Sequence, residues 1–458
     1  MASSAHVVVL VTLVASALAC GTPESAPPRT SAASARTAPD GGAREVLPFL
    51  HDDYGRALAE AKRRRRPIFV DAWAPWCHSC QSMRAYVLTD PSLAPLASDF
   101  VWLTIDTEKD DNASFVGRFS NRVWPTLWII DPARESTVLR WEGTATAPEL
   151  VSLLATVRAG AREGAADAAV AFLKANQAAA RGELAEAEKG YRAVLAVKDA
   201  PDRARAVEAL TGLLSGRKAF GVCTDVAVAE SPALPPGTSR ATVLALGLSC
   251  ARGAKRDADL RVLAAAAERA AVDPDPRIIA DDRSALFEEL VETRDEQGDA
   301  AGAKATARAW ASFLEGEAAR APTSEARAVF DAHRLSAYLA AGEPERALPM
   351  LTRSERDFPD DYNPPARLAR AYLTMKRLDD AQSAIQRATA RVYGPRALRV
   401  FALAADIAKA RGDLAGERSA LEQAAARTAS AVLNDSQKRL RADLEKRLRD
   451  LPRLPRDS

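Results

Sequence analysis

The sequence predicts a small α/β domain followed by an all-α domain built from helical repeats. Six of the seven tryptophans fall between residues 73 and 141, in the stretch that also holds the runs of strand type. Beyond residue 165 the chain is rich in Ala, Arg, Leu and Glu, and its turn residues recur at the spacing of helix pairs. A chain of 458 residues has room for about three domains, so each region can bury a core of its own.

The overall composition excludes several classes of function. Lys and Arg number 63 against 61 Asp and Glu, a formal net charge of +2, so no basic excess predicts a nucleic-acid partner. Hydrophobic residues at 47% and charged residues at 27% are typical of a folded, soluble chain. The four histidines, His6, His51, His78 and His333, are scattered, and we therefore expect no metal centre.

Residues 1–20 predict an export signal. The apolar run 7–18 is too short to cross a bilayer but suits the core of a signal peptide. Ala-Leu-Ala-Cys follows and resembles a bacterial lipobox, in which Cys20 would become the lipidated first residue of the mature protein. Ala17 stands where Leu is usual, and no Lys or Arg precedes the apolar run. An ordinary cleaved signal and an uncleaved membrane anchor are the alternatives.

An exported lipoprotein would face the periplasm from a membrane of the bacterial cell envelope, and a soluble periplasmic protein is the alternative. Residues 21–44, rich in Pro, Gly and Ser, predict a flexible linker. Export also permits disulfides, because the periplasm is oxidising. The five cysteines then fall into three groups, namely Cys20, the Cys-x-x-Cys pair at 77 and 80, and two others. We hypothesise a structural disulfide between Cys223 and Cys250, with two separate buried thiols as the alternative.

Residues 45–160 are predicted to form the α/β domain, whose most informative motif is the Cys-x-x-Cys pair. A helix over 51–66, which ends in the basic run 62–66, precedes the strand-type run 68–73, and Trp-Cys-His-Ser-Cys then opens the next helix. The N-terminus of a helix stabilises a thiolate, which makes Cys77 the nucleophile. Cys80, one turn later, can attack a mixed disulfide at Cys77 and release the substrate.

Half of a zinc site and an inert structural disulfide are the alternative interpretations of this pair. A zinc site would need a second Cys-x-x-Cys or a pair of His residues, and the sequence offers neither. Disulfide exchange needs no cofactor, because the pair completes a two-electron cycle by itself.

The rest of the domain predicts a mixed sheet covered by helices. Strands are expected at residues 100–106, 123–131 and 137–141, a short helix at 112–120 and a longer helix opened by Pro148. This order of elements fits a small α/β fold. Four acidic residues lack the spacing of a calcium loop and are expected to form a solvated loop, namely Asp106, Glu108, Asp110 and Asp111.

These residues resemble the thioredoxin superfamily, and most closely the thioredoxin-like domain that ends DsbD-type thiol:disulfide interchange proteins. The resemblance rests on residues 70–74 and 76–80, on Trp-Pro-Thr at 124–126 and on Gly143 before the last helix. It covers about a quarter of the chain, and the combined motif is specific to this superfamily.

The resemblance implies roles for residues around the pair. Asp71 would be the buried carboxylate that assists proton transfer at the resolving cysteine, with a plain strand-end carboxylate as the alternative. Pro125 would be the cis-proline that leaves room for a substrate strand, with a strand-start proline as the alternative. Trp76 would belong to the surface around the nucleophile, with plain packing as the alternative.

The dipeptide between the cysteines departs from the family pattern. His78-Ser79 stands where reducing thioredoxins commonly carry Gly-Pro. A protonated His78 beside the thiolate would stabilise the reduced pair and make it more oxidising. The motif therefore predicts disulfide exchange but leaves two directions of electron flow open. The pair could reduce substrate disulfides, or it could oxidise or isomerise them.

Residues 165–458 are predicted to form the helical repeat domain. A Gly followed five residues later by Ala recurs, and small residues there let the two helices of a hairpin approach closely. The pairs are Gly182 and Ala187, Gly298 and Ala303, Gly342 and Ala347, Lys376 and Ala381, and more weakly Gly412 and Glu417, with Tyr191, Leu351 and Ile385 on the next inward turn.

This pattern resembles the tetratricopeptide repeat, with Pro359 at the position that ends a helix. The match is good at 330–395 and around 171–199 and poor at 200–285, and five to eight helix pairs are expected. The resemblance implies a surface that binds peptides or proteins, with a plain helical spacer or dimer surface as the alternative. His333 is isolated in this region, so we expect it to pack or to lie on the surface.

These motifs predict an exported, membrane-tethered thiol:disulfide oxidoreductase, of the protein-disulfide reductase type. Its expected partners are protein disulfide substrates, a redox partner protein and, through a lipid on Cys20, a membrane. No nucleic acid, metal or other cofactor is expected. The alternative function is an envelope scaffold or assembly lipoprotein, in which the repeats bind partners and the thioredoxin-like unit is a docking module.

Overall fold

The computed structural model describes residues 46–160 and 167–452. The predicted signal peptide, the linker and Cys20 lie outside these residues. Contacts divide the described chain into two compact units. The larger unit holds residues 46–107 and 114–347, and the smaller unit holds residues 108–113 and 348–452. Among the described residues, no helix combines the length and the apolar character needed to cross a bilayer.

A mixed sheet of five strands forms in the larger unit, in the order β1-β3-β2-β4-β5. β1, β3 and β2 are parallel, whereas β4 is antiparallel to β2, and β5 to β4. The strands are β1 (Leu50–His51), β2 (Ile68–Trp73), β3 (Val101–Asp106), β4 (Thr126–Asp131) and β5 (Ser136–Glu142). A helix was expected to begin at His51, but His51 belongs to strand β1 in the structure. A strand of two residues is too short to show the alternation of apolar and polar residues by which strands are recognised.

Helices cover this sheet on both sides, because its central strands are apolar on both faces. β3 is buried along its whole length, and β2 along all but its last residue. The helices are α1 (Tyr54–Arg64), α2 (His78–Ser82), α3 (Ala113–Arg118) and α4 (Ala147–Gly160), and α2 continues as a π-helical turn over Met83–Val87. The Asp53 carboxylate caps α1 by accepting the backbone N–H of Arg56 at 2.8 Å.

The remaining described helices form the repeat region. They are α5 (Asp167–Ala180), α6 (Leu184–Leu195), α7 (Arg203–Gly216), α8 (Phe220–Glu230), α9 (Thr238–Gly253), α10 (Asp257–Val272), α11 (Ala280–Glu296), α12 (Ala300–Arg320), α13 (Ser324–Ala328), α14 (Asp331–Ala341), α15 (Ala347–Asp357), α16 (Asn363–Thr374), α17 (Leu378–Arg391), α18 (Ala397–Ala410), α19 (Leu414–Arg427) and α20 (Asp435–Asp450). Consecutive helices pack against each other within one unit, and the pairs that match the predicted hairpins include α5/α6, α7/α8, α9/α10, α11/α12, α16/α17 and α18/α19.

The recurring Gly and Ala positions occupy the turn and the contact of these pairs. The glycines at 182, 298, 342 and 412 have φ between 73° and 79°, the left-handed conformation that suits Gly. Ala187, Ala303 and Ala347 follow three of these glycines by five residues, Ala381 follows Lys376 by the same spacing, and all four alanines are buried.

Residues 200–285, where the sequence pattern is poor, nevertheless form complete helix pairs. Lys218 and Lys255 hold the turn positions with φ of 57° and 55°, as Lys376 does with φ of 59°. A non-glycine residue in this conformation costs energy, and neighbouring packing outweighs that cost. The signature was hidden because Lys replaces Gly at these turns.

The acidic loop after β3 corrects our expectation of a solvated loop. Asp110 and Asp111 are exposed, but Asp106 and Glu108 are only 1% and 2% exposed. The Glu108 carboxylate accepts the backbone N–H of Arg396 at 2.5 Å, within the smaller unit. Glu108 was expected to be solvated because its hydrogen-bond partner lies 288 residues further along the chain.

Cys223 in α8 and Cys250 in α9 are joined by a disulfide inside the repeat region. Their Cα atoms are 6.0 Å apart, and both side chains are fully buried. The bond ties together two helices that also pack against each other.

Replacing both Cys223 and Cys250 with Ala should lower the free energy of unfolding by about 3.5 kcal/mol, because this bond constrains a 27-residue separation in the unfolded chain. Urea unfolding of the oxidised chain measures the loss. Ser at both Cys77 and Cys80 is the matched control, since that pair has a separation of only 3 residues and should lose less. Equal losses in the two double variants would contradict the prediction.

Candidate active site

The Cys77–Cys80 pair forms a disulfide at the start of α2, directly after β2. A tight turn leads into the helix, in which the Cys77 N–H donates to the Ala74 carbonyl at 3.1 Å. Cys77 is the N-cap residue, and its Sγ accepts the backbone N–H of Cys80 at 3.0 Å. That hydrogen bond, together with the helix N-terminus, would stabilise negative charge on Sγ of Cys77 once the bond is reduced.

The two cysteines differ little in exposure but differ in their position on the helix. Cys77 is 3% exposed and Cys80 is 0% exposed. Cys80 lies one turn inside α2, with its Cα 5.2 Å from that of Cys77. This arrangement suits one attacking and one resolving sulfur.

An aromatic surface surrounds the disulfide. Trp73, Trp76 and Trp124, all half-buried, pack against the two cysteines. The rings of Trp76 and Trp124 meet edge to face with centroids 5.1 Å apart. The indole N–H of Trp124 donates to the Thr107 hydroxyl at 2.8 Å, which fixes the ring. Trp76 therefore packs and also forms part of the surface around the sulfur atoms.

The Trp124–Pro125 peptide bond is cis and lies next to the pair. The Ser79 hydroxyl donates to the carbonyl of Trp124 at 3.4 Å and lies 3.5 Å from Sγ of Cys77. Ser79 thus joins the first turn of α2 to the segment that precedes β4. Pro125 is buried, whereas Val123, two residues before it, is 45% exposed.

Asp71 lies within β2 rather than at its end and is completely buried. The Thr104 hydroxyl donates to Oδ2 at 3.4 Å, and Oδ1 has no hydrogen-bond partner within the described chain. Burial raises the pKa of Asp71 to about 6, against the opposing effects of the Arg84 charge and the Thr104 hydrogen bond. A cavity of about 140 Å³, large enough to hold water, is lined in part by Asp71 and Arg84.

His78, between the cysteines, contacts two buried residues of the repeat region. Its Nδ1 is 2.9 Å from Oδ1 of Asp281 and 2.8 Å from Nε2 of His333. Asp281 belongs to α11 and His333 to α14, and both lie with His78 in the larger unit. The sequence showed His333 as isolated, because 255 residues separate it from His78. No local pattern could have revealed this cluster.

The pKa values of Asp281 and His333 are both shifted downward, so the carboxyl favours its charged form and this imidazole its neutral form. Burial opposes ionisation of Asp281, but the two imidazoles hold its pKa well below its usual range. Burial, aided by the charge of His78, lowers the pKa of His333. The sequence could not show that the negative charge of Asp281 lies beside His78, the residue after Cys77.

A second buried carboxylate fixes the first turn of α11. Asp282 accepts the hydroxyl of Thr144 at 2.9 Å and that of Thr238 at 2.6 Å. Burial raises its pKa to about 7. Thr144 precedes α4 and Thr238 begins α9, so three parts of the larger unit position the turn that carries Asp281.

Comparison with known proteins identifies both regions. Residues 50–132 match the thioredoxin-like family, and residues 338–407 match the tetratricopeptide repeat. The chain thus combines a thioredoxin-like domain with tetratricopeptide repeats, which confirms the predicted fold class.

Individual relatives cover only parts of the chain. The thiol:disulfide interchange protein DsbD of Pseudoalteromonas atlantica is 32% identical over 89 residues, 19% of this chain and 15% of that protein. DsbD of Colwellia psychrerythraea is 32% identical over 107 residues, 22% of this chain and 17% of that protein. The chain therefore spans less than a fifth of these relatives.

A solved structure resembles the helical part. A tetratricopeptide repeat protein from Parabacteroides merdae covers 61% of this chain and 98% of its own, with 11% identity and a TM-score of 0.39.

Proposed function

We propose that this protein is a thiol:disulfide oxidoreductase that reduces disulfides in other proteins. The observation that carries the proposal is the Cys77–Cys80 disulfide at the N-terminus of α2, with Sγ of Cys77 held by the N–H of Cys80. A thiolate formed at this position has its negative charge stabilised before it meets a substrate. The similarity to part of DsbD supports the same chemistry.

The proposed cycle balances two electrons. The Cys77 thiolate attacks one sulfur of a substrate disulfide, forms a mixed disulfide and releases the other substrate sulfur as a thiolate, which takes up a proton. Cys80 then loses its proton and attacks Sγ of Cys77. That step restores the Cys77–Cys80 disulfide and releases the second substrate thiol. A redox partner protein must reduce the pair again before the next cycle.

Asp71 is the proposed proton acceptor in the resolving step. Its carboxyl is buried, its Oδ1 makes no hydrogen bond in the described chain, and its pKa of about 6 lies near neutral pH. A base with such a pKa can take up a proton and return it at physiological pH. The adjoining cavity is large enough to hold water beside this carboxyl.

The proposed direction of electron flow is tested by the reduction potential of the full chain. The oxidised protein is equilibrated with dithiothreitol or glutathione mixtures, free thiols are alkylated, and the peptide holding Cys77 and Cys80 is quantified by mass. A potential of about −230 mV or lower supports a reductase, whereas about −150 mV or higher would make the pair an oxidant or isomerase. The peptides with Cys223 and Cys250, quantified in the same samples, separate the structural disulfide from the redox pair.

We also propose that the chain is exported and tethered to a membrane through lipid on Cys20, facing the periplasm. The support is the apolar run followed by Ala-Leu-Ala-Cys. Labelling with a radioactive fatty acid should mark the wild-type chain and leave a Cys20→Ala variant unmarked. Fractionation should find only the wild type in the membrane pellet, and equal labelling of both chains would exclude the lipid anchor.

The repeats are proposed to recruit protein substrates or the redox partner. Tetratricopeptide arrays bind peptides through a surface assembled from successive helix pairs. The support in this chain is that α11, α13 and α14 share the larger unit with the thioredoxin-like fold. α11 contacts α2, α13 contacts the π-helical turn Met83–Val87, and His333 of α14 contacts His78 of α2. The Tyr86 hydroxyl on that π-helical turn, for example, donates to the Ala326 carbonyl at 3.0 Å.

A further inference from the structure

Three potential metal-ligating atoms converge beside the redox pair, and disulfide exchange uses none of them. They are Nδ1 of His78, Oδ1 of Asp281 and Nε2 of His333. The separations are 2.9 Å for His78 and Asp281, 2.8 Å for the two histidines, and 3.4 Å for His333 and Asp281. All three atoms belong to the larger unit.

Hydrogen bonds among these three atoms cannot pair all of their lone pairs at once. A single proton held at any one of them leaves the lone pairs of the other two facing each other at 2.8 to 3.4 Å. If both ring nitrogens carry protons and donate to Asp281, two N–H groups lie side by side with their nitrogens only 2.8 Å apart. A cation at the common centre would instead be a partner for all three lone pairs.

We propose that His78, Asp281 and His333 form a binding site for a divalent transition-metal ion of the zinc class. Two imidazole nitrogens with one carboxylate oxygen form a ligand set that zinc accepts when its fourth position is open. Magnesium and calcium prefer sites made of oxygen alone, so this set disfavours them.

The distances and the burial fit such an ion. Ligand atoms about 2.0–2.1 Å from a tetrahedral zinc ion lie roughly 3.3 Å from one another, so shifts of about 0.5 Å bring the three atoms into place. Asp281 and His333 are each 4% exposed, whereas the side chain of His78 is 35% exposed. The open fourth position therefore lies on the solvent side, next to His78.

The surrounding structure holds two of the ligands in place. The Asp282 carboxylate, bound by the hydroxyls of Thr144 and Thr238, fixes the turn that presents Asp281. The ring of His333 packs against Trp310, whose indole N–H donates to the Ser284 hydroxyl at 2.5 Å. Ligands supported in this way are positioned before the ion arrives.

The test uses the oxidised full chain, in which neither disulfide offers a thiolate to the metal. After treatment with a chelator and gel filtration, the chain is titrated with Zn²⁺ by calorimetry and with Co²⁺ by visible absorption. We expect one ion per chain and a Co²⁺ spectrum typical of nitrogen and oxygen ligands in a four- or five-coordinate site.

Separate replacement of each ligand supplies the specific readout. The variants Asp281→Asn, His333→Gln and His78→Ser should each weaken Zn²⁺ binding more than about 100-fold, the upper limit for a residue that only supports a ligand. His51→Ala is the matched control, because His51 is exposed and lies outside the cluster. It should bind Zn²⁺ like the wild type.

His78→Ser keeps the test decisive if the buried variants fail to fold, because His78 is partly exposed. Circular dichroism verifies the fold of each variant. Absence of a stoichiometric site in the wild type, or equal affinity in the wild type and His78→Ser, would overturn the metal site. Both results concern metal binding only. The proposed redox function is tested separately, by the reduction potential of the Cys77–Cys80 pair.

Discussion

Cys77→Ser should abolish disulfide reduction, whereas Cys80→Ser should trap substrates as mixed disulfides. Without the Cys77 thiolate no attack on a substrate occurs, because the remaining Cys80 is completely buried. Without Cys80 the attack still takes place, but nothing inside the chain resolves the product. Turnover of an insulin-type disulfide substrate measures the first loss, and non-reducing gels with mass spectrometry measure the second.

The double variant, with Ser at both positions, controls for the fold and for Cys20, Cys223 and Cys250. It should show neither turnover nor mixed disulfides. Full turnover by Cys77→Ser would refute the mechanism. Complementation of a deletion strain by the double variant would instead favour the scaffold function, in which only the repeats bind partners.

Asp71→Asn should slow turnover at neutral pH by about 100-fold or more, the usual contribution of a general base. Turnover of the wild type should rise with pH through about 6, where the buried carboxyl loses its proton. The variant should lack that rise. A pH profile of turnover for both proteins measures the difference, and an unchanged rise in the variant would assign the titration to another group.

The same carboxyl predicts a pH dependence of stability. The pKa of Asp71 is about 6 in the folded chain against an ordinary value of 3.8, so the folded chain holds this proton more tightly. Its contribution to stability is complete below about pH 4, and rising pH removes roughly 3 kcal/mol by the time pH passes 6. Urea unfolding of the oxidised chain should show this loss for the wild type and not for Asp71→Asn.

Neighbouring residues supply matched controls for Asp71. Arg84→Gln removes the largest influence that lowers the pKa of Asp71, and Thr104→Val removes a hydrogen bond to it. Both variants should move the inflection of the pH profile upward while they keep the carboxyl. A downward shift in either variant would contradict the proposed environment.

The local part of the site could be predicted from the sequence, because its chemistry lies within a few residues. A strand, a turn and a Cys-x-x-Cys at a helix start are contiguous, so the positions of Cys77 and Cys80 follow from secondary structure alone. The contacts of His78 could not be predicted. Asp281 and His333 lie 203 and 255 residues away from it. A single sequence contains no pattern that shows which residues so far apart will be in contact.

The repeats illustrate the same limit. Glycine marks a turn because it favours the left-handed conformation, so Gly182 and Gly342 could be recognised. Lys218 and Lys255 adopt that conformation because their surroundings require it, and lysine is not a turn signal. Burial of Glu108 likewise depends on a backbone N–H at Arg396, which no composition reveals.

That contact between Glu108 and Arg396 also bears on the order in which the chain matures. Glu108 emerges 288 residues before its partner, and at about 5–20 residues per second the delay is roughly 15–60 s. During this interval the backbone N–H of Arg396 is not yet there to donate to that carboxylate. The hydrogen bond that Glu108 makes to the Arg396 N–H therefore forms only after residue 396 has been synthesised, although Glu108 itself is synthesised early.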